Sequence, residues 1–189
     1  MRIFIAIEIP DAIKKAILRQ QDILSNLLPQ VRFIEASSWH ITLAFIGEIT
    51  CSQLQQTLQA TQIAARQCHP AELALGNISC FGPVKQPRVI FIETTGQTQQ
   101  LAAIHQTLAQ ALQDVGVAYD RKAFAPHITL ARNSRPLPAD WYAESAKAAN
   151  GLPQAPHFRA EELVVMQSEL RASGAKYTPV QRIQFGGLT

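Results

Sequence analysis

His40-Ile41-Thr42-Leu43-Ala44 and His127-Ile128-Thr129-Leu130-Ala131 are the same five letters, met twice in a chain of 189 residues. Each copy alternates polar and apolar residues. On a β-strand, successive side chains point to opposite faces, so His and Thr share one face while Ile and Leu take the other. Each copy therefore offers an imidazole beside a hydroxyl, backed by an apolar surface that needs burial.

The segments around the two copies also correspond. Phe4 precedes His40 by 36 residues (40 minus 4), and Phe91 precedes His127 by 36 (127 minus 91). At that offset Ile3-Phe4-Ile5 falls on Ile90-Phe91-Ile92, and the apolar stripe with Ile17 falls on the one with Ile104. The repeat is thus a whole β-α-β-β unit, approximately 2–81 and 88–170. The expected fold is α+β: one bilobal domain over 1–189, with duplicated units, two antiparallel sheets facing a central cleft, and helices outside.

Taken in order, Arg2 to Glu8 reads as a buried strand closed by Pro10, after which Asp11 can cap a helix with Ile13, Ile17, Leu24 and Leu28 at helical spacing. Val31 to Glu35 and Trp39 to Ile46 are strand candidates joined by Ala36-Ser37-Ser38, and Gly47 ends the second. Thr50-Cys51-Ser52-Gln53 has the capping-box pattern. Ala71 to Phe81 and Arg88 to Thr94 read as strands around Gly82-Pro83. Thr98 caps a helix with Leu101, Ile104, Leu108, Leu112 and Val115, closed by Gly116. Asp140 to Ala149 reads as a short helix, broken by Asn150-Gly151 and Pro153. Phe158 to Glu169 and Lys176 to Phe185 form a closing hairpin around Ser173-Gly174 that could pair with either lobe.

Composition bounds the function. Hydrophobic residues at 47% with 16% charged describe a compact core-forming chain, not a disordered tail. A net charge of +3 allows a phosphate-bearing ligand but does not indicate a long nucleic-acid track. Cys51, Cys68 and Cys80 follow no CxxC spacing, so neither a disulfide framework nor a zinc knuckle is expected. The apolar run Ile3 to Ile9 is too short for a signal segment and is interrupted by Glu8, and nothing reaches membrane-spanning length. A cytoplasmic monomer with no membrane association and no cofactor is the expectation.

If two similar lobes face each other, both imidazoles reach one ligand. An imidazole titrates near pH 6.5, so one can accept a proton while the other donates one. A phosphodiester needs both services, one on each side of phosphorus. Thr42 and Thr129 can hydrogen-bond the non-bridging oxygens. Arg132 is a further candidate for charge stabilisation, but strict alternation turns it away from His127, so that role requires a bulge, a strand end or strong twist. His69, His105 and His157 do not repeat at the common offset and read as structural or solvent-facing. A zinc site is disfavoured because neither repeated histidine has His, Cys or carboxylate partners at ligand spacing, although folding could bring Glu35 or Asp120 near.

The extended motifs Trp39-His40-Ile41-Thr42-Leu43-Ala44-Phe45-Ile46-Gly47 and Phe124-Ala125-Pro126-His127-Ile128-Thr129-Leu130-Ala131-Arg132 resemble those of the two-histidine (2H) phosphoesterases. Within them the chain is similar to the bacterial and archaeal RNA 2′,3′-cyclic phosphodiesterases, also called 2′-5′ RNA ligases. Arg2-Ile3-Phe4-Ile5-Ala6-Ile7 and Ser168-Glu169-Leu170 with Tyr177 fit that branch too. The resemblance covers nearly the whole chain. It implies metal-independent opening of a 2′,3′-cyclic phosphate at RNA ends, tRNA-derived ends included, to a 2′-phosphomonoester, with ATP-independent 2′-5′ joining as related chemistry. It also implies His40 as general acid toward O3′, His127 as general base on water, and Arg132 as a phosphate or nucleotide contact. Phe45 holds the equivalent place in the first copy and is assigned to the substrate side along with Tyr177. Two other readings stand beside this one: the same fold acting on a small cyclic nucleotide such as an ADP-ribose cyclic phosphate, and a non-catalytic module that binds RNA ends.

Overall fold

A computed structural model describes residues 1–149, 157–171 and 174–186. Its strands and helices follow in the order β1 (Arg2–Glu8), α1 (Asp11–Leu27), β2 (His40–Glu48), α2 (Cys51–Gln67), β3 (Ala71–Phe81), β4 (Val89–Gly96), α3 (Thr98–Asp114), β5 (His127–Arg132), α4 (Trp141–Ala149), β6 (Phe158–Ala160), β7 (Glu162–Arg171) and β8 (Gly174–Gln184). No helix among the described residues is long and apolar enough to cross a membrane. The breaks read at Asn150-Gly151 and Pro153, and the Ser173 half of the closing turn, lie outside the described residues.

The strands form one antiparallel sheet in the order β6-β3-β4-β5-β2-β1-β7-β8. The two sheets expected from the repeat are the two halves of this ladder. They meet at β2 and β5, the two HITLA strands, through a single pair among the described residues, Ile41 with Ile128. The strands of the two sequence units interleave across that seam. β3 pairs with β4 and β6, in the half that contains His127, whereas β7 pairs with β1 and β8, in the half that contains His40. Consecutive antiparallel strands joined by a short connection pair by default, and only a short connection separates β3 from β4. The closing segment therefore serves both halves, β6 on one and β7 with β8 on the other.

β1 is buried on both of its faces. Ile3, Ile5, Ile7 and Ile9 point to the helix side and join the main core with Ile13, Ile17 and Leu24 of α1 and with Leu101, Ile104 and Leu108 of α3. Phe4 and Ala6 point the other way, forming a smaller cluster with Val164 and Met166 against which Phe45 and Tyr177 pack. A period-2 strand whose side chains are buried on both faces must be apolar throughout, as β1 is from Ile3 to Ile7.

Several local expectations change. Asp11 and Thr98 are the first helical residues, not caps; the cap positions are Pro10 and Gln97, neither with a side-chain capping bond. Pro10 suits that boundary because its missing N–H belongs to a group with no intrahelical partner. Thr50 and Gln53 do form the reciprocal capping box, the Thr50 amide donating to Gln53 Oε1 at 2.9 Å. Val31 to Glu35 is not a strand. It contributes one bridge, Phe33 with Ala131, and the Ile34 amide donates to the Leu130 carbonyl at 2.7 Å. The segment fills the space where β2 and β5 part. The 87-residue shift that relates the two histidines (127 minus 40) also relates the starts of α1 and α3 (98 minus 11), but it does not hold for the inner strands. Glu8 is opposite His40 and Glu93 is opposite His127, a shift of 85 (93 minus 8). A two-residue slide leaves each side chain on its original face, so the alternation hides it.

Gly96 ends β4 with φ +90, and a Cβ there would sit 2.5 Å from the Glu72 carbonyl oxygen. Gly96→Ala combines a left-handed backbone with a clash against backbone atoms. It should lower stability by about 3 kcal/mol, read as a fall in the urea midpoint at unchanged slope. A midpoint within error of the parent would show that the turn relaxes freely.

Candidate active site

His40 and His127 stand at the first positions of β2 and β5. An antiparallel register through Ile41 and Ile128 sets His40 across from Thr129 and Thr42 across from His127. The face opposite the two isoleucines thus carries two imidazoles and two hydroxyls in a chequerboard. His40, Thr42, His127 and Thr129 all line one cleft of about 970 Å³, together with Arg132, Phe45 and Tyr177. The seven residues singled out in the sequence occupy one cavity.

Each ring is oriented by its own strand entry. His40 Nδ1 lies 2.8 Å from the Ser38 carbonyl oxygen, and His127 Nδ1 lies 2.7 Å from that of Ala125. A carbonyl only accepts, so Nδ1 donates in both rings, and Nε2 is left to exchange protons with the cleft. Pro126 favours an extended Ala125, which helps fix the carbonyl that His127 uses. Thr42 Oγ1 is 3.0 Å from His40 Nε2. When His40 is neutral its Nε2 can only accept, so the Thr42 hydroxyl donates.

Aromatic rings form the floor and wall behind each histidine. Phe4 lies 4.8 Å and Tyr177 5.1 Å from the His40 ring, the tyrosine edge-on. Phe91 lies 5.0 Å and Phe81 4.9 Å from the His127 ring, and Phe81 is again edge-on. In the sequence Phe4 and Phe91 mark the register of the repeat, and nothing in it distinguishes Phe81. The usable signal was an aromatic ring in β1 and β4 on the face opposite the isoleucines. His105, read as structural or solvent-facing, also lines the cleft and stacks on Phe124 with centroids 4.3 Å apart.

A bulge brings Arg132 into the site. Opposite β4, the register skips Leu130: Ile90 pairs with Ala131 and Phe91 with Thr129. Leu130 and Ala131 both turn to the core as a result, and Arg132 returns to the cleft. β2 has the same bulge at Leu43, where Ile5 pairs with Ala44 and Ala6 with Thr42. It buries Leu43 and Ala44 and turns Phe45 into the cleft. Two successive inward residues, which alternation forbids, are what a bulge supplies.

The surroundings favour neutral imidazoles. Burial is the main cause that lowers the His40 pKa to about 4; His127 and Arg132 add repulsion, while the Ser38 carbonyl and Glu8 oppose the shift. His127 is also lowered, first by burial and then by Arg132, against the Ala125 carbonyl. An anion placed between the rings and Arg132 would reverse the repulsive part and favour protonation.

The family model described as the 2′-5′ RNA ligase superfamily matches residues 10–172. A Geobacillus stearothermophilus protein named RNA 2′,3′-cyclic phosphodiesterase is 30% identical over 171 residues, covering 88% of this chain and 52% of that protein. The chain thus spans about half the length of that relative. A Methanothermobacter thermautotrophicus protein of the same name is 23% identical, covering 96% of this chain and 97% of its own length. Among solved structures, a Thermus thermophilus protein superposes with a TM-score of 0.82 at 23% identity over 100% of both chains. The apo form of E. coli LigT gives 0.72 at 21% identity, over 97% of this chain and 96% of its own.

A lowered histidine pKa has a defined effect on stability. Below pH 6.5 the unfolded chain binds a proton that folded His40 refuses, so this contribution is complete above 6.5 and is lost as pH falls toward about 4. His40→Gln should remove it: the stability difference between parent and variant should be constant above pH 6.5 and shrink below it. The His40 ring, followed by NMR, should titrate well below 6.5, and a midpoint at or above 6.5 would refute the burial argument.

Proposed function

The chain belongs to the 2′-5′ RNA ligase superfamily, and on that premise we propose that it is an RNA 2′,3′-cyclic phosphodiesterase, opening cyclic phosphate ends to 2′-phosphomonoesters. The observation that carries this reading is the pair of imidazoles with Nδ1 tied to carbonyls and Nε2 left to one cleft. Paired proton carriers suit a displacement in which one oxygen on phosphorus loses a proton and another gains one. One bilobal unit, 1–189, performs the reaction, because each half of the sheet supplies one histidine.

In hydrolysis His127 Nε2 takes a proton from water as the oxygen bonds to phosphorus. The P–O3′ bond breaks, and protonated His40 gives its Nε2 proton to O3′. The phosphate stays on O2′. Thr42, already 3.0 Å from His40 Nε2, and Thr129 across the seam are positioned to donate to the non-bridging oxygens as charge builds on them. Arg132 supplies fixed positive charge. The substrate anion raises the His40 pKa from its value in the free protein, which arms the acid only when substrate is bound. A 5′-hydroxyl in place of water would leave a 2′-5′ linkage, without ATP.

RNA bearing a 2′,3′-cyclic phosphate, incubated with the protein in EDTA, should yield a 2′-phosphate end. His40→Ala and His127→Ala should each lower kcat by roughly 10²- to 10⁴-fold. Full activity in either variant, or a 3′-phosphate product, would eliminate the mechanism. Because both imidazole pKa values are held down in the free protein, kcat/KM should be bell-shaped with its alkaline limb below about pH 6.5. An alkaline limb above pH 7 would contradict that electrostatic picture.

A further inference from the structure

Beyond the two histidines, the cleft floor carries a polar row that the chemistry above does not use. Arg2 is paired with Ser168 on β7, and Ser168 is paired with Tyr177 on β8. The three residues continue the face that carries Phe4, Val164 and Met166, and all three line the cleft. They place a guanidinium, a hydroxyl and a phenol side by side on adjacent strands, roughly 5 Å apart from strand to strand.

The Arg2 guanidinium carbon lies 4.9 Å from the centroid of the Phe45 ring. Stacking occupies the face of a guanidinium and leaves its in-plane N–H donors free. Arg2 makes no ion pair among the described residues, and its cross-strand neighbour Glu48 is 3.4 Å from the Met1 amine instead. A cation held beside an aromatic ring, in a cleft and with no ion pair among the described residues, is available to an anionic ligand.

Phe45 and Arg132 follow equivalent bulges in the two HITLA strands. Where one half presents Arg132, the other presents Phe45 with Arg2 across its ring. Two guanidinium groups therefore stand in related positions on the two halves of one cleft. Phe4 is the residue beneath His40, and Arg2 lies two residues further along β1, roughly 7 Å away in an extended strand. That step is comparable with one nucleotide of an extended single strand.

We infer that Arg2, supported by Ser168 and Tyr177, binds the phosphodiester one nucleotide upstream of the cyclic phosphate. The inference rests on the functional reading above and makes Arg2 a specificity residue. The protein then recognises an end with two phosphates, and its preferred substrate is an oligonucleotide, not a cyclic mononucleotide.

The test compares kcat/KM on a dinucleotide ending in a 2′,3′-cyclic phosphate with that on a nucleoside 2′,3′-cyclic phosphate. The intact protein should favour the dinucleotide by at least about tenfold. A neutral methylphosphonate at the internal position should abolish most of that preference without any mutation, so the test does not depend on a variant that folds. Arg2→Ala should cut the preference by about tenfold, and Arg2→Lys should recover it only in part, because an ammonium lacks the planar stack. Equal turnover of the two substrates, or an Arg2→Ala loss of the same factor on both, would overturn the upstream site and leave the cyclic phosphodiesterase intact. Turnover of neither substrate would overturn the functional reading, and this inference with it.

Discussion

The pairing of Ile41 with Ile128 is the constraint on which the site depends. Among the described residues it is the one ladder pair that joins the two halves of the sheet, and it belongs to the two strands that carry the histidines. Joined there, the halves hold four polar side chains in a fixed antiparallel pattern. Beyond that pair, bulges at Leu43 and Leu130 bend the strands and raise their twist, and the segment around Phe33 and Ile34 fills the gap. The cleft is the space left when two strands meet at a single pair and then diverge.

The same geometry accounts for the electrostatics. Each imidazole is anchored at Nδ1 by a carbonyl two residues upstream, so orientation is local and inexpensive. Its protonation is set first by burial, and the rings of Phe4 and Tyr177 beside His40 and of Phe81 and Phe91 beside His127 contribute to that burial. Those rings remove water, and the loss of hydration disfavours the charged form. Arg132 disfavours protonation of both histidines, so an anion beside Arg132 would favour it, and the two effects are coupled through one residue.

Interleaving of the strands ties the halves together more firmly than a tandem arrangement would. β3 leaves the first sequence unit to lie beside β4, and β7 leaves the second to lie beside β1. Tyr177 thereby reaches His40 from the end of the chain, and Ser168 comes next to Arg2 at its start. Neither half of the sequence could form its part of the cleft alone.

Much was legible in the sequence because it followed from periodicity and repetition: the strand character of both HITLA segments, the apolar stripes of α1 and α3, the capping box at Thr50, and the shared face of His and Thr. The expected Arg132 orientation was legible as a conditional, since alternation required a bulge that only the ladder could reveal. What the sequence did not disclose has common physical causes. Helix starts at Asp11 and Thr98 were misplaced by one residue because several polar residues can cap and backbone geometry chooses among them. Val31 to Glu35 has strand composition but meets β5 at a single bridge, Phe33 with Ala131, too little pairing to make a strand. The two-residue difference between the β1–β2 and β4–β5 registers is invisible in the sequence because alternation is blind to even shifts. The sequence alone determined that His40, Thr42, His127 and Thr129 share one polar face, since spacing and face are local properties of a strand. Which residues surround them was decided by tertiary pairing, because Phe81, Tyr177, Ser168 and Arg2 meet the site only across strands far apart in the chain.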